Sequence, residues 1–219
     1  MTALDALRRG DPVLVYDADD REGEVDVIYA AEHVEPVDVA RLRNDAGGLI
    51  CTAIADAAAE ALGLPFMTDV LGDSAIADHD DLGYDERSSF SLWVNHRSTY
   101  TGVTDNDRAT TIGALADAAD AVENGGDYPF ADEFRSPGHV AVLRAHPELL
   151  DGRRGHTEMG VALADAAGLT PAATVCEMLD GDTGDALAPS DARAYAEEHG
   201  LPFLTGADVE DVVARTARA

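Results

Sequence analysis

Apolar runs of strand length alternate with Ala-rich segments of helical period along this chain, and that restricts it to a mixed architecture of sheet and helices. Val13–Tyr16, Val25–Ala30, LICTAI (49–54), HVAVLRA (139–145) and ATVCEML (173–179) read as strands. SFSLWVNH (89–96) alternates with period two, as a strand with one wet face does, and PFLT (202–205) reads as a short closing strand. Helices are expected over ALDALRR (3–9), VDVARLRNDAGG (37–48), ADAAAEALG (55–63), TEMGVALADAAG (157–168) and PSDARAYAEEHG (189–200), four of them stopped by glycine. DNDRATTIGALADAADAV (105–122) reads as a long helix with Asp105 or Asn106 as its cap, and a final helix opens at Thr205 with Asp208 in capping-box spacing. The pattern predicts the α+β class: one domain over 1–219, a mixed α/β sandwich of sheet and helices. Residues 72–89 (GDSAIADHDDLGYDERSS) keep no period and are expected to form a long loop, either a lid or a tolerated surface insertion.

With 46% apolar residues the chain can bury a core, but its net charge is −28 and every one of its 15 basic residues is Arg. Self-repulsion at that charge is relieved only by salt, because the Debye length shrinks from about 10 Å at 0.1 M to about 3 Å at 1 M. A salt-rich cytoplasm, as in halophilic microbes, is therefore expected. No basic cluster suited to nucleic acid is present. No signal-like segment opens the chain, and no apolar run reaches the ~18 residues of a membrane span, so a soluble cytoplasmic protein is expected. Cys51 and Cys176 sit inside apolar runs and read as buried free thiols.

Against this acidic background four stretches place polar groups at the edge of apolar runs. DADDREGEVD (17–26) holds seven ionisable side chains in ten residues between two strands. It is either a solvated turn or a cation holder. In an extended segment Glu22, Glu24 and Asp26 would face one way, as the oxygen ligands of Mg²⁺ do, and Arg21 the other, free to grip an anion. In SPGHVAVLRAH, Pro137 and Gly138 set His139 at a strand's mouth, where a lone His is more often structural than functional. In GRRGHTEMG, Arg153, Arg154, His156 and Thr157 crowd a turn that opens a helix, the composition of a phosphate cradle. His156 can serve that anion or a metal. Glu177 lies within an apolar strand and needs an Arg, a metal or a catalytic task. Acid, base, cation ligands and an anion site together suit chemistry on a sugar phosphate. The same residues leave open another Mg²⁺-dependent sugar-phosphate enzyme, or a salt-adapted binding protein whose acidic loop is merely solvated.

DDREGEVD, HRSTYTGVTDNDRATTI, FRSPGHVAVLRA, RRGHTE and PAATVCEM, in that order, resemble the motifs of the 3,4-dihydroxy-2-butanone 4-phosphate synthase family, with His139 and His156 seventeen positions apart. The resemblance implies conversion of ribulose 5-phosphate to a four-carbon ketose phosphate and formate. It also implies dependence on Mg²⁺ or Mn²⁺ at two ions per site. By position it implies Glu22 and His156 as metal ligands, and Arg21, Glu22, Asp26, Arg153, Arg154, Gly155, His156, Thr157 and Glu177 as substrate-binding, with Arg153 and Thr157 at the phosphate. His139, Glu177 and Asp26 are the implied catalytic groups. A homodimer with sites at the subunit interface is implied as well. Gly23, Val25 and Asn95 depart from the family's usual Asn, Gly and Asp. The second, GTP cyclohydrolase domain that many bacterial relatives carry is not expected within these 219 residues.

Overall fold

Strands β1 (Val13–Tyr16), β2 (Val25–Ala30), β3 (Cys51–Ile54), β4 (Phe90–His96), β5 (Phe134–Arg144), β6 (Ala172–Glu177) and β7 (Phe203–Thr205) form one mixed sheet in the order β4-β5-β3-β6-β2-β1-β7. The computed structural model describes residues 2–77, 82, 83, 85 and 87–218. The α-helices among the described residues are α1 (Ala3–Arg8), α2 (Pro36–Arg41), α3 (Asp56–Ala61), α4 (Met67–Leu71), α5 (Asp105–Glu123), α6 (Phe130–Glu133), α7 (His156–Ala166), α8 (Pro189–His199) and α9 (Gly206–Thr216).

Each central strand divides its side chains between two cores. Val13, Val15, Ile28, Cys51, Ala53, Ala173 and Val175 pack with α1, α7 and α9 on one face. Leu14, Val25, Val27, Tyr29 and Cys176 pack with α2, α3, α5 and α8 on the other. Cover on both faces explains why these strands are apolar at nearly every position rather than alternating. The sandwich of sheet and helices is as expected, with helices on both sides of a sheet that mixes parallel and antiparallel pairs. Cys51 and Cys176 are free and buried, on opposite faces.

Several local details differ from expectation. The long helix α5 is capped by Thr104, whose hydroxyl accepts the Asp107 N–H, whereas Asp105 is drawn into ion pairs with Arg43 and Arg108. The strand expected to open at His139 starts at Phe134 instead. Pro137 is tolerated there because β5 pairs with β3 only from Ala141 onward, so no ladder bond is lost on that side. The alternation of β4 is broken by register shifts, leaving the consecutive residues Val94 and Asn95 both buried. The helix after Glu35 passes into one wide π-turn (Leu42–Ala46) before Gly47 ends it in the left-handed region. The short α4 and α6 carry no periodic signal. The lid reading of 72–89 falls partly outside the described residues. Among those described, no helix is long and apolar enough to cross a membrane.

Candidate active site

Period two decides where the polar residues at the strand ends go. Asp26 follows the face of Ile28, and Glu177 that of Val175; both residues belong to the core under α7. The antiparallel ladder pairs Asp26 directly with Glu177, so two carboxylates arrive side by side near the start of α7. Arg21, Glu22, Glu24, Asp26, Arg153, His156, Thr157 and Glu177 all line one cleft of about 320 Å³.

The loop from β1 to β2 is shaped by Asp17, which is buried. One of its carboxylate oxygens accepts the Glu22 N–H at 3.0 Å and the other the Glu24 N–H at 3.1 Å. Gly23 turns between them at φ +70°, so the segment is not extended. Glu22, Glu24 and Asp26 share the cleft as expected, but the turn also brings Arg21 to its wall rather than to an opposite face. There Arg21 donates to Asp85 at 3.2 Å.

His156, the first residue of α7, is 5% exposed. Its Nε2 lies 3.1 Å from the Val15 carbonyl, which can only accept, so Nε2 carries a proton and Nδ1 faces the acids. Glu22 Oε2 stands 3.6 Å and Asp26 Oδ1 3.5 Å from that Nδ1. Burial works against a charged imidazole, but Asp26, Glu22 and Asp17 outweigh it and raise the His156 pKa to about 9. The bond to His156 lowers the Glu22 pKa, while burial above all raises those of Glu24 and Asp26.

Asp17, Glu22 and His156 offer ligand atoms within 4.8 Å of one another. Asp17 spends both oxygens on backbone N–H groups, whereas Asp26 Oδ1 is buried with no hydrogen-bond partner. A buried carboxylate oxygen without a donor, beside an imidazole nitrogen and a second carboxylate, fits a hard divalent cation.

Glu177 Oε2 accepts the Leu49 N–H at 2.7 Å, and its own carbonyl accepts the Gly48 N–H at 3.0 Å. That approach needs glycine: a Cβ on Gly48 would lie 2.6 Å from the Glu177 carbonyl oxygen. Thr157 is buried in the first turn of α7, which no side chain caps because the N-cap is Gly155. Uncapped N–H groups beside Arg153 suit an anion.

Three expected residues do not line this cleft, the first being Gly155, the N-cap of α7. Arg154 is 65% exposed in its side chain and pairs with Glu210 on α9 at 3.2 Å. His139 is exposed on β5; its N–H donates to Asn95 Oδ1 at 2.8 Å, and its Nδ1 accepts from the Asn95 amide at 3.2 Å. Three contributors had not been singled out: Asp17, Asp85 and the fully buried Glu158. Only Asp17 had a local signal, as the first acid after an apolar run and the natural acceptor for the turn that follows.

Comparisons with known proteins identify the family. The family model described as 3,4-dihydroxy-2-butanone 4-phosphate synthase matches residues 1–212. A protein of Archaeoglobus fulgidus bearing that name is 54% identical over 212 residues, covering 93% of this chain and 89% of that one. The crystal structure of the synthase of Candida albicans has a TM-score of 0.78 at 30% identity, covering 96% of this chain and 95% of that one. Another structure of the synthase, in complex with two magnesium ions, has a TM-score of 0.77 at 31% identity, with coverage of 99% and 95%. With the motifs, the fold and the family model in agreement, the chain belongs to the 3,4-dihydroxy-2-butanone 4-phosphate synthase family.

Proposed function

We propose that the chain converts ribulose 5-phosphate into 3,4-dihydroxy-2-butanone 4-phosphate and formate, a step of riboflavin biosynthesis, as one domain over its whole length. The convergence of Glu22, Asp26 and His156 beside Arg153 carries the reading, since it sets a cation seat next to an anion seat. No oxidant is required, because the five-carbon ketose phosphate divides into the two products with all atoms accounted for.

Glu22 and His156 would hold Mg²⁺ or Mn²⁺, at two ions per site, with Asp26 turned toward the same place. A divalent cation there supplies Lewis-acid polarisation of neighbouring substrate oxygens. The Val15 carbonyl keeps the His156 proton on Nε2 and so leaves Nδ1 available for that role. Arg153, Thr157 and the first turn of α7 would hold the phosphate, fixing the non-reacting end of the substrate. Asp26 and Glu177, paired across the ladder, are the proton-transfer groups within reach of the sugar carbons. Arg21 closes the wall between cation and phosphate.

His139 supports a homodimer with sites at the interface. It is exposed, its tautomer is set by Asn95, and it lies apart from the cleft of its own chain. Near it Tyr100 is 93% exposed, on the segment whose carbonyl Arg135 holds. In this reading His139 of a second copy completes the site. A cytoplasm of high salt is the compartment that the charge suits.

Formate release from ribulose 5-phosphate in high salt, with and without chelator, tests the proposal. The expected result is formate that disappears with chelator and returns with Mg²⁺. A different product, or none in either condition, would refute it.

A further inference from the structure

Glu158 is an ionisable residue with 0% exposure to which the motifs assign no task. It stands at the third position of α7, where an acid ordinarily reaches back to the helix's own N-cap. Here it turns outward instead. Oε1 accepts the His146 N–H at 2.8 Å, and Oε2 accepts from Arg153 Nη1 at 2.6 Å. A carboxylate buried this deeply persists only when its charge and both oxygens are matched, and these two partners match it.

The two partners are the ends of one tight loop. The His146 carbonyl accepts the Leu149 N–H at 2.9 Å, and the Leu149 carbonyl accepts the N–H of Arg153 at 2.8 Å. Leu149 takes a left-handed φ of +44°, which a side chain of this size rarely adopts. The loop is thus wound into a shape that needs an external hold, and the Glu158 carboxylate ties its first backbone N–H to its last guanidinium. Arg153 also donates through Nε to Asp85. Asp85 is carried on a different segment, whereas Glu158 sits on the same helix whose first turn forms the anion seat.

We infer that Glu158 is a positioning residue: it holds Arg153 in register with the first turn of α7 so that the two bind one phosphate group together. This rests on the phosphate role given to Arg153 above. It adds that the buried Glu158–Arg153 pair, rather than Arg153 alone, sets affinity for the phosphate end of the substrate.

The test is a double-mutant cycle on Glu158→Gln and Arg153→Ala, with Glu158→Ala alongside, in high salt and with melting curves to confirm folding. Glu158→Gln keeps an acceptor for the His146 N–H and removes the charge facing Arg153. The expected result is a roughly 10- to 100-fold weaker Kd for inorganic phosphate by calorimetry, the size of loss seen when partners that orient metal ligands are removed, with KM rising more than kcat falls. In the Arg153→Ala background Glu158→Gln should add no further loss of phosphate binding. Equal loss in both backgrounds, or an unchanged phosphate Kd in Glu158→Gln, overturns the inference. If Glu158→Ala fails to fold, the Gln variant alone decides. Phosphate titration needs no turnover, so a wild-type protein that formed no formate would refute the synthase reading while leaving this coupling measurable.

Discussion

Asp26 and Glu177 face each other across the antiparallel β2–β6 ladder, and both carboxylates enter the cleft into which His156 points. Strand pairing therefore joins two acids from distant parts of the chain to one imidazole. It is the kind of arrangement in which protons and divalent cations compete for the same oxygens.

Glu22→Gln removes one charge from the cation seat at a side chain that is 24% exposed. Formate production should be abolished and Mg²⁺ affinity weakened, as read by calorimetry, while the circular dichroism spectrum and melting point hardly change. A normal turnover rate in this variant would take Glu22 out of the metal site.

The pH dependence of stability has a definite sign. His156 is raised from 6.5 to about 9 in the folded chain, so its contribution is complete below 6.5 and is lost as pH rises through 9. Asp26, raised by burial, acts in the same direction above the ordinary carboxylate range. In chelator and constant high salt the stability should fall between pH 6.5 and 9 by an amount of the order of a few kcal/mol, read as a falling melting point. Mg²⁺ should flatten the curve by replacing the proton. A melting point that climbs across that window without metal would contradict the raised values.

Gly48→Ala puts a Cβ 2.6 Å from the Glu177 carbonyl oxygen, backbone that cannot simply swing aside. Separation of β6 from the 47–49 turn should cost about 1–3 kcal/mol of stability, typical of overpacking. It should also lower kcat by displacing Glu177. Thermal melts and a formate assay of the same sample check both.

If His139 serves the cleft of a second copy, two inactive variants should rescue each other. Mixing Glu22→Gln with His139→Asn, then exchanging subunits, should restore formate release, because each mixed dimer holds one intact site. Activity that stays at background in a sample shown to have exchanged would mean that His139 does not serve the cleft of a second copy.

Lowering salt should destabilise the fold through the −28 net charge. Calorimetric melts from ~1 M down to ~0.1 M KCl should show a falling melting point, because the Debye length lengthens about three-fold over that range. A flat profile would mean that the charge has no adaptive relation to salt.

The fold class was legible because both periods are carried by local sequence. Val13–Tyr16 and Val25–Ala30 are strands at the expected bounds, and the Thr205–Asp208 capping box opens α9 as its spacing requires. The candidate ligands Glu22 and His156 were visible as charged groups at the edges of apolar runs, and the resemblance to a known family named them. That Glu22 Oε2 lies 3.6 Å from His156 Nδ1 was decided by tertiary structure alone. It depends on which strands are neighbours and on the register of β2 against β6, and no local pattern encodes either. The same holds for the turn of Arg154 toward Glu210, the distance of His139 from the cleft, and the burial of Glu158 under the 146–153 loop. Residue order specifies which face a side chain occupies on its own element. Only packing of the elements specifies what stands opposite that face, and the chemistry of this cleft depends on those oppositions.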